Sequence, residues 1–388
     1  MSGTALSVSA ADLTQHEIRA LRSEHNLADA HTHQSQSPGQ REIVASLPEL
    51  WYESEAGKQS TFEQRFIDTF FRFRGQHTAL GLNRTLLTYA ASISTVVAGM
   101  YLKRRGARVS LIEPCFDNLR DLLVNLDIEL VPLPEQVLSS ADTVYDQLAQ
   151  QPRTEVVFLV DPNNPTGHSL LTGGRKIFEE VVRFCRENDR LLVLDLCFAA
   201  FALGSPGGRI DVYEILEASG VSYIAMEDTG KTWPVQDAKC ALITASADIY
   251  PDLYNIHTSV LLNVSPFTLN VLTQYIKDSM ADGFASVSDV LSTNRALARE
   301  LTRDTVLHHQ EPAVPVSVAW FKLDESAPNA TELQEELADA GVHVLPGTFF
   351  YWSCPERGER WIRVALARDP EEFAASMRRL HEVVTRHG

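Results

Sequence analysis

Seven short apolar runs between residues 85 and 246 constrain the fold more than any other feature: "TLLTYA", "RVSLIEP", "IELVPL", "EVVFLVD", "RLLVLDL", "SYIAMED" and "ALITAS". Helical patterns fall between several of them, as in "FDNLRDLLVNL" and "RKIFEEVVRFCREN". Strand–helix alternation of this kind predicts an α/β domain on a mainly parallel sheet. Ligands of such sheets gather beyond the carboxyl ends of the strands. After about residue 275 come a helical run, "VSVAWFKLD", "TELQEELADA", "VHVLP", "WIRVALA" and a last helix, which read as a smaller α+β domain. The expected division is an N-terminal segment at 1–45, a large domain at 46–275 and a small domain at 276–388. The first segment is polar, with one expected helix and a loop-like "HTHQSQSPGQ".

The chain of 388 residues is long enough for two such domains. No run of about 18 apolar residues occurs, so no membrane span is expected. The opening "MSGTALSVSAADLTQHE" lacks the basic and apolar regions of a secretion signal. Five scattered cysteines without a CxxC pair point to reduced thiols in the cytoplasm, with no disulfide frame. A net charge of −17 disfavours nucleic acid and anionic membranes and is compatible with a cationic ligand.

The chemistry-bearing residues follow strands in a fixed order. "DPNNPTG" (Asp161 to Gly167) is by itself a turn. About thirty residues on, "LLVLDLCF" places Asp195 at a strand end, where a solitary acid needs a partner. Lys231 follows another strand, and Lys239 lies eight residues beyond it. The series resembles the fold-type I pyridoxal-phosphate enzymes of the class I/II aminotransferase superfamily, which are aspartate aminotransferase-like in fold. The resemblance implies a role for each residue. Lys231 forms the Schiff base with the cofactor aldehyde, and Asp195 keeps the pyridine nitrogen protonated so that the ring acts as an electron sink. Asn164 donates to the ring oxygen and Phe116 stacks on the ring. Ser92, at a helix start after "YAA", and Lys239 hold the phosphate; Cys197 belongs to the same cofactor group. Arg363, in "RWIRVALAR", grips the substrate carboxylate with Asn164. Its alternative reading is a surface strand arginine.

Three positions depart from ordinary aminotransferases: "DTGK" stands in place of SxSK, Lys239 in place of an arginine, and Phe198 in place of a tyrosine. A carboxylate facing a phosphate dianion would be repelled by several kcal/mol, so Asp228 must face a cation. The candidates are a structural cation such as Lys239 and a cationic substrate side chain. Favouring the second, "LTQHEIRALRSEHNLADAHTHQSQSPGQREIVASLPELWYESE" and "EDTGKTWP" closely resemble the pyridoxal-phosphate- and O₂-dependent L-arginine oxidases and hydroxylases of streptomycete, enduracididine-type natural-product pathways. That resemblance implies an N-terminal helix folded over the bound amino acid. It sets Glu17, Asp29 and Asp228 around the guanidinium, Thr14 and His31 near the reacting carbons, and implies a homodimer. Other readings compete. Thr14 and Glu17 fit a helix capping box, Asp29 a turn cap, and His31 a solvated loop histidine; His31 and His33 also form a metal-type His-x-His that no later ligand-spaced run joins. A conventional arginine aminotransferase and a catalytically silent binding protein are the rival functions. The residues leave the desaturated or hydroxylated product, the pathway and any partner-subunit contribution open.

Overall fold

The computed structural model describes residues 13–387, and the side chains of residues 13–15 are outside the description. Thirteen strands occur among these residues. In chain order they are β1 (His25–Asn26), β2 (Thr85–Thr88), β3 (Val109–Glu113), β4 (Leu130–Pro134), β5 (Val156–Val160), β6 (Leu191–Asp195) and β7 (Tyr223–Asp228). β8 (Ala241–Ala245), β9 (Leu307–Gln310), β10 (Val318–Leu323), β11 (Val342–His343), β12 (Leu345–Pro346) and β13 (Trp361–Ala365) follow.

The seven apolar runs form one seven-stranded sheet in the order β2-β8-β7-β6-β5-β3-β4. Only β8 runs against its neighbours. β3, β5 and β8 are buried at every residue because helices cover both faces of the sheet. The helix Lys176–Glu187 illustrates the covering. It buries Phe178, Val181, Val182 and Cys185 at helical spacing and leaves its charges on the opposite face. Each of its large apolar side chains contributes about 1.5–3 kcal/mol by leaving water. A charge at Val181, which is fully buried, would break that packing.

Period-two alternation at the end of β7 separates two acids. Glu227 turns to one face, where Arg74 Nε donates to it at 2.9 Å and Tyr213 Oη at 3.1 Å. Asp228 turns to the other face and lines a cavity. The strand register thereby gives one carboxylate to the scaffold and one to the site.

The small domain carries the antiparallel sheet β12-β13-β10-β9. The helices Ala285–Thr302 and Pro370–Val384 pack against each other beside it. The expected boundary at 275/276 falls inside the continuous helix Pro266–Ala281.

The N-terminal segment is more structured than a single helix and a loop. A helix spans Leu13–Ala20, and β1 pairs in parallel with β11 of the small domain. "SPGQ" starts a second helix, Pro38–Ala45, in which Gln40 N donates to Ser37 Oγ at 3.2 Å and Ser37 N donates to Gln40 Oε1 at 3.0 Å. Just beyond the segment a third helix runs Leu47–Ala56. The capping serine, the proline behind it and the glutamine at the third helical position form a readable start signal.

Candidate active site

A cavity of about 260 Å³ opens at the edge of the large sheet where β2, β3, β5, β6 and β7 end and the reversed β8 begins. Ten of the expected residues line it: Glu17, His31, Ser92, Phe116, Asn164, Asp195, Cys197, Asp228, Lys231 and Lys239. Arg363 and Asp29 stand one layer behind. The Thr14 side chain lies outside the described residues.

Asp195 ends β6 and accepts the Cys197 N–H at 2.9 Å. Burial raises its pKa above the ordinary carboxyl value, and among the described residues it makes no ion pair. Asp228 accepts the Gly230 N–H at 3.0 Å. Burial raises its pKa as well, against the opposing pull of Lys231, Lys239 and His31. It too makes no ion pair; Lys239 pairs instead with Asp237 at 3.0 Å. Among the described residues, the cations nearest to Asp228 act on it only through space, without an ion pair. Burial, reinforced by the charges of Asp195 and Asp228, pushes the Cys197 thiol well above its usual range, so it is a neutral wall of the site.

Gly230 explains part of the departure from SxSK. A Cβ there would stand 2.7 Å from Lys239 Cδ and 3.2 Å from Lys239 Cβ. The missing side chain is the space through which the Lys239 stem passes into the cavity.

His31 reaches Lys231 Nζ at 3.2 Å and Lys239 Nζ at 3.3 Å through Nε2. Its Nδ1 donates to Asp29 Oδ1 at 2.5 Å, which leaves Nε2 as an acceptor facing the lysines. His33 Nε2 donates to the other Asp29 oxygen at 2.5 Å. Burial works to raise the Asp29 carboxyl, but the hydrogen bonds of His31 and His33 outweigh it and hold the group well below the usual range. Asp29 is thus committed to two imidazoles. It was expected at a substrate guanidinium; in this structure it orients His31.

Arg363, on β13, is fully buried, so the surface-arginine reading does not apply. Its Nη1 donates to Asn164 Oδ1 at 3.3 Å, and its Nη2 donates to Glu17 Oε1 at 3.1 Å and to Ala28 O. Its guanidinium also lies over the rings of Phe350 and Phe116, at 5.3 and 5.7 Å from their centroids. Glu17 faces Arg363; the Thr14 side chain of the expected capping box lies outside the described residues.

Two functional positions have no counterpart among the expected residues. Arg368 donates from Nε to Asn26 O at 2.8 Å, from Nη1 to His31 O at 2.9 Å, and from Nη2 to Asp29 O. It holds the whole turn that presents Asp29 and His31. Thr32 Oγ1 donates to Lys231 O at 3.0 Å and ties that turn to the lysine's own loop. "ALAR" carried a signal for the first, an arginine ending an apolar strand, but nothing in sequence distance relates it to residues 26–31.

The family model described as aminotransferase class I and II matches residues 56–380. The chain belongs to the class I and II aminotransferase family. Among curated relatives, "Probable aminotransferase gliI" of Aspergillus fumigatus is 25% identical over 281 residues, which is 66% of this chain and 60% of that protein. LL-diaminopimelate aminotransferase of Syntrophobacter fumaroxidans is 24% identical over 235 residues, 60% of this chain and 57% of that protein. The chain thus spans about three fifths of the length of these relatives. The structure of MppP soaked with the product 2-ketoarginine matches with a TM-score of 0.83 at 31% identity, over 92% of this chain and 99% of that one. Aspartate aminotransferase from Thermus thermophilus with maleate matches in fold, with a TM-score of 0.75 at 16% identity over 99% and 100% of the two chains.

This aminotransferase-family protein is therefore aspartate aminotransferase-like in fold, with a mostly parallel large sheet. Its site fits the family's cofactor, pyridoxal 5′-phosphate. Asp195 is a buried carboxylate with no ion pair among the described residues, as a protonated ring nitrogen requires. The helix Ala91–Arg104 begins without a side-chain cap, so its first N–H groups are open to a phosphate beside Ser92 and Lys239. Phe116 and Lys231 line the same cavity. Among the described residues no group of His, Cys, Asp and Glu is arranged to hold a metal, and no helix is long and apolar enough to cross a membrane.

Proposed function

We propose that the protein is a pyridoxal-phosphate-dependent oxidase or hydroxylase of L-arginine that passes electrons to O₂. One balanced outcome consumes arginine, O₂ and water and gives 2-oxoarginine, ammonia and H₂O₂. The hydroxylated outcome consumes arginine, two O₂ and two waters and gives 4-hydroxy-2-oxoarginine, ammonia and two H₂O₂. A dehydroarginine product belongs to the same reading, as do natural-product biosynthesis, the cytoplasm and a homodimer. The homodimer rests on the resemblance to the superfamily alone.

The observation that carries the substrate assignment is Asp228, a buried carboxylate lining the cavity with no ion pair among the described residues. With Arg363 on the opposite domain, the site suits a ligand that is anionic at one end and cationic at the other. The likeness to MppP, whose structure was soaked with 2-ketoarginine, supports arginine as that ligand. O₂ as oxidant rests on the resemblance of the N-terminal segment and "EDTGKTWP".

In this reading Lys231 anchors the cofactor and moves the Cα proton, and Asp195 holds the proton on the ring nitrogen. Bound there, the cofactor supplies the electron sink. Arg363 and Asn164 hold the substrate carboxylate, Asp228 and Glu17 its guanidinium. Asp29 fixes the tautomer of His31, whose Nε2 directs water onto the oxidised carbon chain. Oxygen uptake with arginine alone tests the assignment. A requirement for an added 2-oxo acid, without oxygen uptake, would establish the conventional aminotransferase instead.

A further inference from the structure

Glu17 and Arg363 form an ion pair at 3.1 Å across the top of the cavity. Each is also the proposed partner of one end of the substrate. A free guanidinium binds a carboxylate bidentately through one of two edges, Nε with Nη2 or Nη1 with Nη2, and both use Nη2. In Arg363 the Nη2 donors go to Glu17 Oε1 and Ala28 O, while Nε is buried with no hydrogen-bond partner. The Ala28 carbonyl belongs to a fixed turn, because Asn26 Oδ1 accepts both the Ala28 and Asp29 N–H groups and Arg368 binds the carbonyls of Asn26, Asp29 and His31. Glu17 projects from the short helix Leu13–Ala20 and is the partner that a ligand can displace.

Building on the arginine assignment, we infer that Glu17 is a specificity device that works by exchange of ion-pair partners. Without substrate its carboxylate occupies the place on Arg363 that the substrate α-carboxylate takes. On binding, that carboxylate replaces Glu17, and the substrate's cationic end replaces Arg363 as the partner of Glu17. Two buried charges that are paired before binding are paired again afterwards. A ligand with only one charged end leaves one of them unpaired, which is the strongly unfavourable state for a buried ion. Selectivity therefore requires an amino acid whose side chain carries a cation, and Asp228 and Glu17 enforce it differently. Asp228 attracts the cation; Glu17 also penalises every ligand that lacks one.

The two roles separate with norvaline, which carries the α-carboxylate without the cation, and agmatine, which carries the guanidinium without the carboxylate. Both are titrated against cofactor-loaded wild-type protein and Glu17→Gln. A residue that only contacts the guanidinium leaves norvaline affinity unchanged when neutralised. Exchange predicts that Glu17→Gln binds norvaline on the order of tenfold more tightly than wild type while binding arginine on the order of tenfold less tightly. Agmatine stays weaker than arginine in both proteins. Glu17→Leu repeats the norvaline gain without a hydrogen-bonding group. Ligand-free Glu17→Gln is also cut faster by trypsin at the exposed Arg19 and Arg22. Norvaline affinity that is unchanged or lower in both variants overturns the exchange. Failure of the wild type to prefer arginine over norvaline refutes the arginine assignment instead, whatever the variants do.

Discussion

His31 Nε2 lies 3.2 Å from Lys231 Nζ, although 200 residues separate them in the chain. The imidazole is aimed there by Asp29, which accepts its Nδ1–H at 2.5 Å. This contact joins the N-terminal segment to the lysine of the large domain, and the predictions concern its two ends and what surrounds them.

Lys231→Ala should abolish covalent retention of pyridoxal phosphate after borohydride reduction, with cofactor supplied in excess. Mass spectrometry of the reduced protein reads the outcome, and a retained adduct would place the anchoring lysine elsewhere. Asp195→Ala should keep the adduct and lose turnover, because the ring nitrogen loses the carboxylate that holds its proton.

If arginine is the substrate, Asp228 makes its binding depend on pH. Burial raises its pKa, so the protonated form persists to higher pH than for an exposed carboxyl, and the cation-binding form is gained as pH rises through the raised value. Arginine affinity should increase with pH over that window, by up to about tenfold per pH unit. Asp228→Asn should flatten the profile and weaken binding about tenfold to a hundredfold, the loss of a charged hydrogen bond of about 1.5–3 kcal/mol. Asp228→Ser should relax the preference for arginine over leucine. Unchanged discrimination by Asp228→Ser would remove the main support for a cationic substrate.

His31→Ala should retain oxygen uptake and shift the products away from hydroxylated oxo acid, since in the proposed reaction oxidation uses Lys231 and the cofactor while water addition uses the imidazole. Product analysis by mass spectrometry decides this. A wild-type product ratio would leave His31 without a role in hydroxylation, and complete loss of uptake would assign it to oxidation or to closure of the site.

Arg368→Leu should loosen the turn at residues 26–31 while Lys231 still retains the cofactor. The variant leaves the carbonyls of Asn26, Asp29 and His31 without this donor, at about 1–3 kcal/mol for each that stays buried and unpaired. Hydrogen exchange at the amides of residues 26–31 should accelerate. Protection equal to that of the wild type would mean that the β1–β11 pairing alone holds the turn.

The large sheet was legible because each strand is a local apolar run, and all seven runs became its strands. Lys231, Asp195, Asn164 and Ser92 were legible for a related reason: each sits at or just past a strand end, so local pattern also placed it at the ligand edge. The N-terminal segment carries no such periodicity. Its turn is held by Arg368 and its β1 strand by β11, both more than 300 residues away, and no local window contains both members of either pair. The pairing of Glu17 with Arg363 was illegible for the same reason, because the two residues lie 346 positions apart.

Residues 25–36 are fastened at both ends. β11 and Arg368 hold the first part to the small domain, while Thr32 and Gln36, bonded to the carbonyls of Lys231 and Pro234, hold the second part to the large one. His31 sits at the crossing. An inserted or deleted residue between the two fastenings would displace the imidazole by about 3.3 Å, roughly the length of its contact with Lys231. The strap's length is therefore as much a part of the site as the side chains that fasten it, because both fastenings must be met at once for the imidazole to reach the lysine.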